Sequence, residues 1–206
     1  MKLFPANRRL GILLSGRGSN FEAIASSIDA GRLDAEIAVV ISNVDSAPGL
    51  ARARERGLET AFIPSTGKAR EAFDAELIAE LKKHDTGLIV LAGFMRIFSE
   101  VFLRAYPNLI LNIHPALLPS FPGLHVQQQA LDFGVKISGC TVHLVNDVLD
   151  GGPIVRQATV PVLDDDTEET LSARILKEEH RIFSEAIGRI LSGKCELVGR
   201  RVICHQ

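Results

Sequence analysis

Three residue types able to manage charge and protons at a carbonyl centre stand at the ends of apolar stretches in this chain: an amide, an imidazole and a carboxylate. Asn112 and His114 close the run Leu109-Ile-Leu-Asn-Ile-His114, and Pro115 ends it. If the run is a strand, residues two apart leave the same face, so the amide and the ring converge on one spot. A lone histidine beside a strand is most often structural. Asn112 alters that reading, because a buried amide without partners costs free energy and has little reason to share the face. Asp150 lies in Leu149-Asp-Gly-Gly-Pro153, which reads first as a turn. The paired glycines also let backbone approach a ligand closely. A sequence-distant Asp can hold the second nitrogen of such a His, fixing its tautomer and favouring its protonated form. Asn112, His114 and Asp150 together form a layout for acyl-group chemistry.

Two further features bear on binding. Ser15-Gly-Arg-Gly-Ser-Asn20 falls between a predicted first strand and first helix, where an open α/β sheet offers free backbone amides to a phosphate. The same residues also read as a tight turn with Ser19 as N-cap and Glu22 completing a capping box. Phe21 stands where a dinucleotide fingerprint has its third glycine, which favours a phosphomonoester over NAD. Glu179 falls on the inward face of a helix traced through Leu171, Ile175, Ile182, Ala186 and Ile190, so it requires an internal cation or a polar ligand group. His84, His125, His143, His180 and His205 lack comparable neighbours in sequence and read as structural, although His143 lies in a β-like run that could line the same cleft.

The elements that must position these groups alternate. Predicted strands are Leu10 to Leu14, Ile37 to Ile41, Thr60 to Ile63, Leu88 to Leu91 and the run into His114. Between them fall helical patterns: Phe21 to Ile28 ended by Gly31, Leu50 to Arg56, Ala69 to Lys83, and Ser99 to Tyr106. After His114 come Pro- and Gly-rich loops with two longer β-like runs, Gly139 to Asn146 and Ile154 to Val162. Asp166 and Glu169 suggest a capping box for a long helix to about Leu191, and Leu197 to Cys204 is a short β-like tail. The fold class is therefore α/β: an open, mostly parallel Rossmann-like sheet flanked by helices, with an antiparallel C-terminal portion.

Composition bounds the alternatives. With 206 residues, 46% of them hydrophobic, the chain can bury a full core as one large domain or two closely joined halves. Cys140, Cys195 and Cys204 show neither metal-ligand spacing nor a disulfide framework, so no metal and a reducing cytoplasm are expected. No segment has the pattern of a signal peptide or a membrane span. Lys plus Arg number 23 against 25 Asp plus Glu, and no basic stripe is interleaved with aromatics, which disfavours nucleic acid.

The motifs Ser15 to Asn20, Leu91-Ala-Gly-Phe-Met-Arg96, Asn112-Ile-His-Pro-Ala-Leu-Leu-Pro119, Phe121-Pro-Gly-Leu-His125, Leu149 to Pro153 and Glu179-His180 resemble the folate-dependent formyltransferases, within them the branch acting on glycinamide ribonucleotide in purine synthesis. The resemblance spans essentially the whole chain. It implies a single formyltransferase domain over 1–206, with a phosphate-binding half to about 108 and a catalytic and folate-binding half from about 109. It implies that Gly18, Ser19 and Asn20 hold the phosphate and Glu179 the ribose-glycinamide portion. Arg70, Met95, Arg96, Ile97, Phe98, Asn112, and the loop Asn146, Asp147, Val148, Leu149 and Asp150 would contact 10-formyltetrahydrofolate, the formyl donor. Asn112, His114 and Asp150 would be catalytic. A cytoplasmic monomer or homodimer is expected. Ser184 and Ala116 depart from the family pattern at positions often held by Pro and Ser, away from the proposed chemistry. The competing readings are a formyltetrahydrofolate hydrolase-like enzyme, a relative that typically carries an added N-terminal domain, and a non-catalytic nucleotide- or folate-binding module. Methionyl-tRNA formyltransferase, with its added C-terminal domain, is disfavoured.

Overall fold

In a computed structural model, which describes residues 1–3 and 5–205, the chain folds around one ten-stranded sheet. In chain order the elements are β1 (Lys2–Leu3), β2 (Arg9–Leu14), α1 (Ser19–Asp29), β3 (Glu36–Ser42), α2 (Pro48–Glu55), β4 (Thr60–Phe62), α3 (Arg70–Lys83) and β5 (Leu88–Leu91). There follow α4 (Glu100–Ala105), β6 (Ile110–His114), α5 (Val126–Phe133), β7 (Ile137–Leu144), β8 (Ile154–Pro161), α6 (Glu168–Leu191), β9 (Cys195–Val198) and β10 (Arg201–Cys204).

The strands lie in the order β1-β9-β10-β8-β7-β6-β5-β2-β3-β4. From β4 to β6 neighbouring strands are parallel, whereas β7 runs antiparallel to both β6 and β8. The expected parallel sheet with an antiparallel C-terminal portion is what forms. Chain order reverses beside β2, which pairs with β3 on one side and β5 on the other. Such a switch point opens a crevice beyond the carboxyl ends of the strands. The loops after β2, β5 and β6 all leave at that edge.

Both sheet faces are covered, which explains why β5 and the Leu10 to Leu14 part of β2 are continuously buried rather than alternating. Leu10, Ile12 and Leu14 pack in one cluster with Phe21 and Ile24 of α1 and Ile175, Ile182 and Phe183 of α6. Leu13 faces the other cluster, with Phe73, Leu77 and Leu81 of α3 and Phe102 of α4. Replacing a fully buried ring such as Phe102 by Ala would cost about 3–5 kcal/mol. Among the described residues no helix is long and apolar enough to cross a membrane.

Five expectations require correction. Gly18, at φ 75°, caps α1 without a side-chain bond, so Ser19 is the first helical residue rather than the N-cap. The capping box of α6 is formed by Thr167 and Thr170, not by Asp166 and Glu169. Asp166 instead accepts from Arg174 and from the Thr170 hydroxyl. The loops after His114 contain a helix, α5, entered through His125 at φ 55°. The C-terminal tail is two strands in register, with Cys204 opposite Cys195, and these two cysteines are joined in a disulfide. The hairpin register brings them together, which their spacing alone does not reveal.

Candidate active site

Strand register assembles the centre. Asn112 of β6 is paired with His143 of β7, and His114 with Thr141, so four polar side chains share one face. His143, read from sequence as structural, therefore belongs to the site. Its Nδ1 lies 3.0 Å from the Leu144 carbonyl, which can only accept, so Nδ1 carries the proton. Burial lowers the His143 pKa and keeps the ring neutral. Its Nε2 lone pair then accepts from Asn112 Nδ2 at 3.1 Å. This bond orients the Asn112 amide and leaves its second N–H for another acceptor.

His114 is 4% exposed. Its Nε2 donates to the Phe121 carbonyl at 2.8 Å, and its Nδ1 faces Asp150 Oδ2 at 3.4 Å. Both ring nitrogens thus meet oxygen acceptors, and a second proton on the ring would point at Asp150. Asp150 Oδ2 also accepts from the Gly123 amide at 2.9 Å, while Oδ1 stands 3.7 Å from His143 Nε2. The expected trio is therefore gathered into one cluster, with His143 as its fourth member.

The backbone that presents Asp150 is special. Asp150 has φ 52°, uncommon for a residue with a side chain and tolerated best by Asn and Asp. Gly152 leaves no room for any: a Cβ there would lie 1.7 Å from the Leu144 carbonyl oxygen. The Leu144 amide bonds the Pro153 carbonyl, and Arg200 donates to the Gly151 carbonyl, so the turn is held on both sides. Ahead of it, Asn146 accepts from the Val148 amide, and Asp147, Val148 and Leu149 are exposed. On the opposite flank, Thr141 fixes the loop after His114. Its hydroxyl donates to the Ala116 carbonyl and accepts from the Leu118 amide.

The second corner lies at the N-terminus of α1. Gly18 packs so closely on α2 that a Cβ would lie 2.7 Å from the Gly49 Cα. The first amides of α1, including those of Ser19 and Asn20, have no partner in the helix and suit an anion. Asn20 Nδ2 donates to Glu179 Oε2 at 2.7 Å, joining α1 to α6. Burial pushes the Glu179 carboxyl above the usual range, and the Asn20 bond opposes this only partly. Burial, reinforced by Glu179, also drives the nearby Cys140 thiol up to about 12, so it is no nucleophile near neutral pH.

The third corner is the segment after β5. Met95, Arg96 and Ile97 are exposed, whereas Phe98 is buried in a ladder of rings running Phe73, Phe94, Phe98, Phe102, Tyr106. Phe98 therefore acts through packing beneath the segment. The Arg96 guanidinium lies 5.7 Å from the Phe73 ring centroid, and Arg70 is exposed at the start of α3. Ser15 ties this corner to the second: its Oγ accepts from the Met95 amide at 2.9 Å and its own amide donates to the Gly93 carbonyl. Among the described residues, no His, Cys, Asp or Glu cluster has the makings of a metal site.

A family model described as formyl transferase matches residues 8–187. The phosphoribosylglycinamide formyltransferase of Escherichia coli is 43% identical over 187 residues, covering 90% of this chain and 88% of that protein. The trifunctional purine biosynthetic protein adenosine-3 of Drosophila melanogaster is 46% identical over 93% of this chain, which spans only 14% of that protein's length. Among solved structures, glycinamide ribonucleotide transformylase 1 from Symbiobacterium toebii superposes with a TM-score of 0.95 at 48% identity, covering 97% of this chain and 95% of the other. With this match over most of its length, and with its amide, imidazole and carboxylate gathered at the end of β6, the chain belongs to the formyl transferase family.

Proposed function

We propose that this chain transfers the formyl group of 10-formyltetrahydrofolate to the amine of glycinamide ribonucleotide, giving N-formylglycinamide ribonucleotide and tetrahydrofolate in purine biosynthesis. The observation that carries the reading is the fixed pair of contacts Asn112 to His143 and His114 to Asp150 at one face of the sheet. The amine nitrogen attacks the formyl carbon, and the carbonyl oxygen takes up negative charge. Asn112 supplies its second N–H to that oxygen, joined by His114 Nε2 once the ring exchanges its Phe121 contact. The bond from the formyl carbon to the folate nitrogen then breaks. A proton leaves the amine and reaches that nitrogen through His114, with Asp150 holding the ring.

In this reading Gly18, Ser19 and Asn20 hold the substrate phosphate and Glu179 the ribose-glycinamide part. The donor lies along Met95 to Phe98 and the loop Asn146 to Asp150, with Arg70 and Arg96 as cations at its exposed end. The half to about residue 108 supplies the phosphate site, and the half from about 109 supplies the chemistry. Support comes from family membership and from the Asn20–Glu179 bond, which puts the two substrate-binding groups in contact. The test is formyl transfer with glycinamide ribonucleotide against a control lacking the amine. Amine-dependent release of tetrahydrofolate is expected. Release independent of the amine would make the chain a hydrolase, and no release would leave a binding module.

A further inference from the structure

The segment proposed to read the folate has little regular structure of its own. Its start is held by the Ala92 amide on the Leu13 carbonyl and by the contacts of Ser15 to Gly93 and Met95. Beyond Met95, among the described residues, no hydrogen bond engages the amides of Arg96, Ile97 or Phe98. Those groups are therefore free for a ligand, and something else must fix their position.

The far end is gripped from α3. Asp74 is 1% exposed, and its Oδ2 accepts from the Ser99 amide at 2.6 Å. Ser99 directly follows Phe98 and stands at the N-cap of α4, yet its own side chain caps nothing. Asp74 Oδ1 and Ser99 Oγ are both buried without a protein partner. Burying a carboxylate for a single hydrogen bond is a poor way to gain stability. A charge-assisted bond is short and directional, which suits the holding of a backbone in place. The neighbours of Asp74 serve the same segment: Phe73 stacks with Phe94 and lies beneath the Arg96 guanidinium.

We propose that Asp74 is a positioning residue for the formyl donor, its carboxylate anchoring the Ser99 amide so that the free backbone of Arg96 to Phe98 stays aligned with the folate. This rests on the placement of the folate along Met95 to Phe98. Asp74→Ala removes the acceptor, and Asp74→Asn keeps one, through its amide oxygen. Ser99→Pro deletes the donor from the other side, and the Ser99 φ of −80° suits proline.

The expected result is a KM for 10-formyltetrahydrofolate raised about tenfold or more in Asp74→Ala and Ser99→Pro, with kcat and the KM for glycinamide ribonucleotide changed less than about threefold. Asp74→Asn should restore the donor KM to within about threefold of wild type. Equal KM values in wild type and Asp74→Ala would overturn the proposal, as would a parallel rise in both substrates' KM. So would an Asp74→Asn variant that folds but behaves like Asp74→Ala. If Asp74→Ala fails to fold, Asp74→Asn and Ser99→Pro decide by the same criteria. Titration with tetrahydrofolate separates the two ideas: a wild-type protein that does not bind it loses the folate reading itself. Wild-type binding matched by equal binding in the variants removes only the role of Asp74.

Discussion

Asp150 and Glu179 are both acidic side chains of the candidate site with little exposure, and they are held in opposite ways. Asp150 sits on an irregular turn at positive φ, accepts an amide from Gly123 and faces two imidazoles. Glu179 sits in the middle of a 24-residue helix, deeply buried, with one bond from Asn20 and a pKa pushed upward by desolvation. The contrast separates two tasks. In the proposed reading, the carboxylate that must answer a changing charge is held by one amide and set against two imidazole nitrogens, whereas the one that must meet a ligand's polar groups is left short of partners until the ligand supplies them.

Deleting the responsive corner should do the most damage. His114→Ala and Asp150→Ala are each expected to lower kcat by about 10² or more with the fold intact, checked by steady-state assay and circular dichroism. Turnover like wild type in either variant would end the contrast. A smaller effect is expected one step back, at His143, which orients Asn112. His143→Ala should lower kcat roughly tenfold, while His143→Gln, which keeps an acceptor for the amide, should recover most of it. Because burial lowers the His143 pKa, the unfolded chain takes up this proton first as pH falls below the ordinary histidine value. The native state is thereby destabilised on the acid side. His143→Gln should flatten that slope, measured as denaturation midpoint against pH.

The smallest effect tests the other corner. With Glu179 raised, the unfolded chain releases its proton first as pH rises past about 4.3, so the native state loses stability until its own pKa is reached. Glu179→Gln should therefore unfold at a higher temperature than wild type at pH 7, and the gap should close toward pH 4. The same variant should raise the KM for glycinamide ribonucleotide several-fold. A gap that widens in acid would show that Glu179 is not the destabilising group.

Much of this was legible in the order of residues, for reasons that also mark where legibility stopped. Asn112 and His114 are visible as a pair because period two is a property of one strand. His143 enters the site through the pairing of β6 with β7, and no local pattern states that register. The same holds for Cys195 and Cys204, which are opposed only because the chain turns between Val198 and Arg201. Helix α5 was hidden by its brevity and by His125, which starts it in a left-handed conformation without a side-chain cap. Glu179 was legible as an anomaly on a long apolar stripe. Its partner Asn20, 159 residues away, was not.

That separation carries a consequence for how the site comes into being. A chain made at about 5–20 residues per second has its α1 amides ready roughly 8–30 s before Glu179 leaves the ribosome. Gly18 meets Gly49 within the first part of the chain, but α1 also packs Phe21 and Ile24 on α6. The proposed anion-binding corner is therefore finished late, by the same helix that brings Glu179 to Asn20.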